Sequence, residues 1–260
     1  MINTKIALIA VCLLYFMLWM PLGQYDFLID NWMKIGTYAV PFLLLSFFSA
    51  RPSTTSPNFF NTQFISLLLL VAYILHQYEE HWVDLYGNYY SFFTATNGLL
   101  KTIINVKNND VILLTREAIF VINTSLVWLV GTLAIWRSSS HLFPTLAMAG
   151  MTLVNAVTHI LAGVLSQSYN PGLLTAVILF IPLTLTYFNA VLKTINLARI
   201  QIISAIGWAV VGHMIMVGGL FAANWFALFP EYVYFGLLIL WSVVPAFLFQ
   251  NSDPLSRQEG

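Results

Sequence analysis

Long apolar runs, separated by short polar segments, limit what this chain can fold into more than any other feature. A helix needs about 20 mostly apolar residues to cross the hydrocarbon core of a bilayer. The runs therefore predict an all-α fold, a polytopic transmembrane helical bundle of about eight spans. The predicted spans are 5–22, 32–50, 62–80, 111–136, 142–166, 172–192, 200–223 and 226–249.

Composition supports a membrane location. Hydrophobic residues make up 59% of the 260 residues and charged residues only 8%, whereas soluble domains carry about 25% charged residues. A chain with so few charged residues has too little polar surface to cover a globular protein in water. We therefore expect the lipid bilayer to be a partner. Lys+Arg and Asp+Glu balance at 10 each, so no basic field predicts nucleic-acid binding. We predict one integral membrane domain, 1–260, with a motif-bearing core at about 62–192.

The distribution of basic residues predicts the orientation. An N-terminus in the cytoplasm places six Lys and Arg on that side and four on the other, which agrees with the positive-inside rule. Both termini are therefore predicted to be cytoplasmic. The aromatic segment 82–109 is predicted to be a loop on the membrane surface, alone or with a short interfacial helix.

The first polar motif is His76-x-x-Glu79-Glu80, at the end of the third predicted span. Residues three and four apart share a helix face, so His76 and both carboxylates are predicted to point the same way. His81 lies about 140° around the helix from His76 and is predicted to face elsewhere. Ionisable groups at membrane depth are costly and indicate function, although two glutamates at a helix end are also typical of ordinary interfacial carboxylates.

A second motif pairs Asn155 with His159, four residues apart inside the fifth predicted span. At 1.5 Å per residue, His76 and His159 lie at the same depth, roughly 7 Å from the midplane. His213 and Glu117 are further candidates for this layer. In the plainer interpretation Asn155 only joins helices through its amide, and His213 is a hydrogen-bonded core residue.

Three motifs in order resemble those of the HXXEE-motif family of membrane proteins. They are His76-x-x-Glu79-Glu80, Asn155-x-x-x-His159 and, in the loop after the fifth span, Tyr169-Asn170-Pro171-Gly172. The resemblance covers about residues 62–192. It implies a polytopic protein with a shared polar site and assigns no reaction, so the residues themselves must indicate the chemistry.

The candidate donors are imidazoles and carboxylates without thiolates, a set that suits Zn, Fe or Mn. The predicted metal ligands are His76, Glu79, Glu80, His159 and His213, and the predicted catalytic residues are Glu79, Glu80, His76, Asn155 and His159. A catalytic zinc needs three protein ligands, which leaves one glutamate as a general base. Which glutamate takes which role stays open. No nucleotide cofactor is evident.

A metal-free site is a second interpretation. Two adjacent carboxylates in a low dielectric repel each other, so one keeps its proton and can act as a general acid. His76 or His159 is then the base. Such a site suits hydration, isomerisation or cyclisation of a lipid-soluble substrate.

A third interpretation is an intramembrane peptidase of the CAAX-protease type, which also has a Glu-Glu motif and later histidines. Position 84 is Asp and position 217 is Val where that family has Arg and Asn.

A transporter or a structural membrane subunit is the non-enzymatic alternative. We predict an integral membrane enzyme whose buried His/Glu, metal-binding site acts on a hydrophobic small-molecule or lipid substrate. The loop 82–93 is expected to cap the site, and the turn 169–172 to shape its rim.

Overall fold

The computed structural model describes residues 25–49, 62–106, 112–138, 141–194 and 198–249. Within these ranges the chain is helical, with one isolated β-bridge between Val83 and Tyr89 and no strand. The predicted all-α class is confirmed. The helices are α1 Tyr25–Ser49, α2 Thr62–His81, α3 Ser91–Ile103, α4 Arg116–Arg137, α5 Phe143–Ser166, α6 Leu173–Lys193, α7 Arg199–Trp225 and α8 Glu231–Ala246.

Four of these helices, α4 to α7, are long and apolar enough to cross a membrane. They correspond to the fourth to seventh predicted spans. Helix α8 is apolar but shorter than the predicted span 226–249. The first predicted span, 5–22, lies outside the described residues. A membrane protein is therefore indicated, and the number of about eight spans stays a prediction.

Helix α1 differs from its prediction at the N-terminal end. It begins at Tyr25 rather than at residue 32, so Lys34 lies within the helix and not near its start. Asp26 in the first turn complements the positive end of the helix dipole. Ile29, in the added N-terminal part of the helix, is buried against the rest of the protein, so packing also favours the longer helix.

Helix α4 is the central helix of the described bundle. In its most apolar stretch 83% of the residues are buried, against 39%, 33% and 33% in α5, α6 and α7. Helix α5 packs closely on α7, because a Cβ placed on Gly150 would lie 2.8 Å from the backbone oxygen of Ala205. A small residue allows that approach.

Helix α2 carries the polar residues of the first motif into the interior. It packs against α1, α4 and α5. Its middle, Leu67 to Ile74, is almost wholly buried and apolar, and its last turn buries His76, Gln77, Glu79, Glu80 and His81. Because buried polar groups must be hydrogen-bonded, the last turn requires partners from other helices.

Two helices depart from α-helical geometry beside the polar end of α2. A π-helical stretch in α4, Thr124–Leu129, follows Asn123, and another in α6, Ala176–Phe180, follows Thr175. π-Helical turns often accompany functional sites because they redirect side chains. Both Asn123 and Thr175 contact the polar end of α2.

Candidate functional site

Three side chains from two helices form a compact buried group, here called the trio: His76 and Glu80 from α2 and His159 from α5. His76 Nε2 lies 3.5 Å from Glu80 Oε2, and His159 Nε2 lies 3.4 Å from Glu80 Oε1. The side chains are 0%, 8% and 7% exposed. One ligand atom from each lies within 4.8 Å of the others, so the trio could hold a metal ion.

The hydrogen bonds of His159 determine which ring nitrogen faces Glu80 as an acceptor. Asn170 Nδ2 donates to the backbone oxygen of His159 at 2.9 Å, which fixes the orientation of the Asn170 amide. Its Oδ1 therefore lies 2.7 Å from His159 Nδ1 and accepts a hydrogen from that nitrogen. In the neutral ring, Nε2 then presents a lone pair to the trio.

His76 is oriented in the same way by Thr175. The Thr175 hydroxyl donates to Glu79 Oε2 at 2.6 Å, so its oxygen accepts from His76 Nδ1 at 2.9 Å. The Nε2 lone pair of His76 therefore also faces the trio, where Asn155 Nδ2 lies 3.2 Å away. Metal-binding histidines typically donate their second N–H to an oxygen in this manner.

Glu79 has different partners from Glu80. Its carboxylate accepts hydrogen bonds from the Tyr169 hydroxyl at 2.8 Å, Leu174 N at 3.0 Å, Thr175 N at 2.7 Å and the Thr175 hydroxyl. Free backbone N–H groups at a helix N-terminus attract anions. Glu79 therefore caps α6 and lies outside the trio, while Glu80 faces the two histidines.

The Tyr169 hydroxyl joins the turn 169–172 to both Glu79 and the loop after α2. Burial raises the pKa of Tyr169, and the hydrogen bond to Glu79 raises it as well. A hydrogen bond from Leu85 N lowers the pKa by less, so the net pKa of Tyr169 lies above its ordinary value. The hydroxyl thus stays protonated and donates to Glu79. The ring of Tyr86 packs edge-on against Tyr169 at 5.0 Å.

The structure contradicts the prediction that His81 faces elsewhere. Its Nε2 lies 2.9 Å from Glu80 Oε2. The prediction was wrong because it considered only the angle between His81 and His76 around the helix axis. Glu80 is next to His81 in the chain, and its flexible side chain reaches the imidazoles of both His76 and His81. The distance of 2.9 Å is within hydrogen-bonding range, so Glu80 contacts His81 as well as the two histidines of the trio.

A directed chain of buried hydrogen bonds ends at His81. Trp128 Nε1, which can only donate, donates to Gln77 Oε1 at 2.8 Å, and Gln77 Nε2 donates to Asn123 Oδ1 at 3.0 Å. Asn123 Nδ2 therefore faces His81 Nε2, at 3.1 Å. The donor-only indole fixes both amide orientations, so α4 holds His81 against Glu80.

Gly172 covers the trio with backbone alone. Its φ of +92° is rare for other residues, and a Cβ there would lie 2.7 Å from His76 Cε1 and 2.8 Å from His159 Cε1. Glycine is therefore needed at position 172 for two reasons: the backbone is in the left-handed region, and it lies in close contact with two imidazoles. The turn forms one wall of the site.

Asp84 organises the loop that follows α2. Its carboxylate accepts hydrogen bonds from Tyr86 N, Asn88 N, Asn88 Nδ2 and the Ser91 hydroxyl, at 2.9 to 3.1 Å. Burial raises the pKa of Asp84, whereas these hydrogen bonds together lower it by a larger amount. The net pKa of Asp84 therefore lies below its ordinary value. The position that carries Arg in the CAAX-type motif therefore has a structural role here.

The remaining predicted site residues lie apart from the trio. His213 Nδ1 is 2.8 Å from the backbone oxygen of Ala209, one turn earlier in α7. Glu117 is partly exposed in the first turn of α4. Its neighbour Arg116 pairs with Asp30 of α1. In the part of the chain that the structure describes, the only candidate metal-binding group is the trio.

Four residues that complete the site were not predicted: Gln77, Asn123, Asn170 and Thr175. Gln77 and Asn170 occupy variable positions within two of the motifs, and this is the only sequence signal for them. Asn123 and Thr175 carry none, because their roles depend on contacts between residues far apart in the chain.

The spacing of the trio is close to that of a metal site. Zn–N and Zn–O bonds of about 2.0–2.2 Å give ligand–ligand separations of roughly 3.3–3.6 Å in a tetrahedron. The His76–Glu80 distance of 3.5 Å and the His159–Glu80 distance of 3.4 Å involve different oxygens of Glu80. One ligand atom from each of the three residues lies within 4.8 Å of the others, so a bound metal would draw the ligand atoms closer together. Two neutral imidazoles and one carboxylate also form the donor set of catalytic zinc sites and of non-haem iron sites.

Comparison with known proteins agrees with the motifs. No curated protein and no solved structure matches the chain. Residues 67–187, which contain the three residues of the trio and the turn 169–172, match the family described as proteins of unknown function with an HXXEE motif. The resemblance predicted from the three motifs is thereby confirmed over residues 67–187, a little under half of the chain.

Proposed function

We propose that this protein is an integral membrane enzyme whose trio binds a divalent metal, zinc in the first place, and acts on a lipid-soluble substrate. One observation carries the proposal. Both histidines donate through Nδ1 to oxygens outside the trio, so both Nε2 lone pairs face the Glu80 carboxylate, and that of His76 also faces the Asn155 amide. A buried carboxylate is costly unless it is paired or binds a metal, and a cation at this point would pair with Glu80 and with both lone pairs.

The proposed enzyme is a single domain, 1–260, with about eight spans and both termini in the cytoplasm. The apolar composition and the four long apolar helices support the membrane spans, and the distribution of Lys and Arg supports the orientation. The bilayer then supplies the substrate, a hydrophobic small molecule or lipid, and no nucleic acid is expected to bind.

The proposed chemistry is hydrolysis or a related acid–base reaction. A bound divalent cation would polarise a carbonyl group or water. Glu80 and His81 would hold the proton to be exchanged, between Oε2 and Nε2, and His81 would pass it to or from the reacting group. Glu79 and Thr175 would hold the His76 ring in place, as positioning residues, through the hydrogen bond to Nδ1.

A metal-free acid–base enzyme is the second candidate, since a proton could replace the cation. Asn155 Nδ2 already contacts His76 Nε2 at 3.2 Å, and Glu80 already contacts His81. The peptidase alternative ranks lower because it requires the later histidine, His213, at the carboxylates. The structural-subunit alternative leaves the buried polar group without a role. A transporter could use it as a proton relay, but the internal repeat that is typical of transporters is not evident in the sequence.

Elemental analysis of the purified, detergent-extracted protein tests the metal proposal. Wild type is expected to contain close to one equivalent of zinc, iron or manganese per chain. His159→Ala and Glu80→Ala are expected to lose it, because each removes one of three ligands. His213→Ala and His141→Ala, matched changes outside the trio, are expected to retain it.

Each other result has a defined meaning. A folded wild-type protein that stays metal-free after supplementation would remove the metal proposal and favour the acid–base candidate. Loss of metal in His213→Ala but not in His159→Ala would place the site elsewhere and favour the peptidase alternative.

A further inference from the structure

A cavity of about 520 Å³ lies beside the trio, between α1, the end of α2, α3 and α4. Its size is within the range of pockets that bind small molecules, about 300–1,000 Å³. Most of the lining is apolar. The apolar side chains are Ile29, Trp32, Met33, Phe93 and Ile119.

His81 is the wall shared by the cavity and the trio. It lines the cavity, its ring contacts Trp32 with centroids 5.3 Å apart, and its Nε2 contacts Glu80. A molecule in the cavity would therefore be separated from the Glu80 carboxylate by a single imidazole ring.

The polar part of the cavity lining is cationic on balance. Arg116 and Asp30 form an ion pair, with side chains 63% and 45% exposed, at the outer edge. Lys34 also lines the cavity, and its ammonium donates to Asn31 Oδ1 at 3.0 Å. Within the described ranges Lys34 contacts no carboxylate, so one positive charge at the cavity is not balanced.

Aromatic rings hold the Lys34 ammonium in position. It lies 5.6 Å from the centre of the Trp82 ring and 5.7 Å from that of Tyr90. Both contacts are within the range of cation–π interactions. Tyr90 also lines the cavity, so the ammonium is held at the rim, where it can donate further hydrogen bonds to an anion.

We propose that this cavity binds an amphiphile with an anionic headgroup, a fatty-acid-like carboxylate, as the substrate or product of the trio. Lys34 would hold the headgroup, the five apolar side chains would contact the hydrocarbon, and His81 would face the part of the ligand that lies nearest the trio. The identification as substrate or product rests on the proposed function. The binding itself rests on the cavity and its unbalanced cation.

Photolabelling of the full chain in a neutral maltoside detergent tests the proposal. The probes are a 16-carbon fatty acid with a diazirine near the chain end and the matching uncharged alcohol. Labelling by the acid is expected to concentrate on cavity peptides around Trp32 and Ile119, and to exceed labelling by the alcohol at least roughly tenfold, as expected for a charge-assisted hydrogen bond.

Three variants test whether labelling depends on Lys34 and on the cavity. Lys34→Met is expected to reduce labelling by the acid to the level of the alcohol. Ile119→Trp is expected to reduce labelling by both probes, because it fills the cavity. Lys193→Met, at the exposed end of α6, is the matched control and is expected to behave like wild type.

Equal labelling by acid and alcohol, labels spread over all apolar helices, or an unaffected Lys34→Met would overturn the cavity proposal. Metal content is measured on the same samples. A metal-containing protein without acid preference refutes the cavity proposal alone, and a metal-free protein with acid-specific labelling refutes the metal proposal alone.

Discussion

Thr175 donates two hydrogen bonds to one oxygen of Glu79, from its backbone N at 2.7 Å and from its hydroxyl at 2.6 Å. The same hydroxyl accepts from His76 Nδ1. Glu79 therefore acts on the trio indirectly, through Thr175, and also anchors the N-terminus of α6. The two adjacent glutamates of the motif therefore have separate roles.

Glu79→Gln and Glu80→Gln are expected to differ in metal binding. Glu80→Gln removes a charged ligand and should abolish stoichiometric metal. Glu79→Gln disturbs only the support of His76 and should weaken metal affinity by roughly 10–100-fold, as second-shell changes do. Competition with a chromogenic chelator measures both affinities. Equal losses in the two variants would contradict the division of roles.

Gly172→Ala is expected to displace the trio, whereas Gly87→Ala should not. Both glycines have positive φ, +92° and +80°, so alanine is strained at both. Only at Gly172 does the new methyl group meet His76 and His159; Gly87 has open space around it. Metal content should fall in Gly172→Ala alone. A similar loss in both variants would mean that turn strain, and not contact with the imidazoles, is responsible.

Trp128→Phe is expected to destabilise the protein far more than Trp136→Phe. Trp128 is buried and donates to Gln77, which then orients Asn123. Loss of this donor, with the smaller ring, should lower the free energy of unfolding by about 2–3 kcal/mol. Trp136 is 55% exposed and its change should cost less than about 0.5 kcal/mol. Unfolding by SDS titration measures both.

Asp84→Asn is expected to destabilise the loop after α2 in a pH-dependent way. The folded pKa of Asp84 lies below its ordinary value of 3.8, so its contribution to stability is complete above that value. It is lost as the pH falls through the folded pKa. The variant should be less stable than wild type at pH 7, and the difference should shrink below pH 3.8.

Unfolding midpoints from pH 7 down to pH 3 measure this difference. Asp26→Asn is the control, because Asp26 is exposed in the first turn of α1 and its interaction with the helix dipole contributes at most about 1 kcal/mol. A difference between Asp84→Asn and wild type that stays constant over the whole range would show that the loop does not depend on the carboxylate charge.

Helical periodicity predicted a large part of the site. Residues four apart share a helix face, which placed His76 with Glu80 and Asn155 with His159. The depth estimate then predicted that His76 and His159 lie in one layer, and their ring centroids are 4.8 Å apart. These inferences succeeded because they use only the regular geometry of a helix.

Periodicity failed where the geometry of side chains, and not of the backbone, decides the contact. His81 was excluded by its direction from the helix axis, yet Glu80 reaches it. Glu79 was grouped with His76, yet it turns to Tyr169 and the N-terminus of α6. A long carboxylate can occupy several directions, and the nearest donors select one.

The sequence by itself determined the helices, the apolar character of the chain and the two motifs that supply the trio, because these follow from local spacing and hydrophobicity. The tertiary structure decided which glutamate faces the histidines, which residues orient their rings, and that a cavity lined by Lys34 lies beside His81. Those features depend on how α1, α4 and α6 pack around the end of α2. The donors that satisfy buried polar groups come from distant parts of the chain, and local spacing cannot identify them.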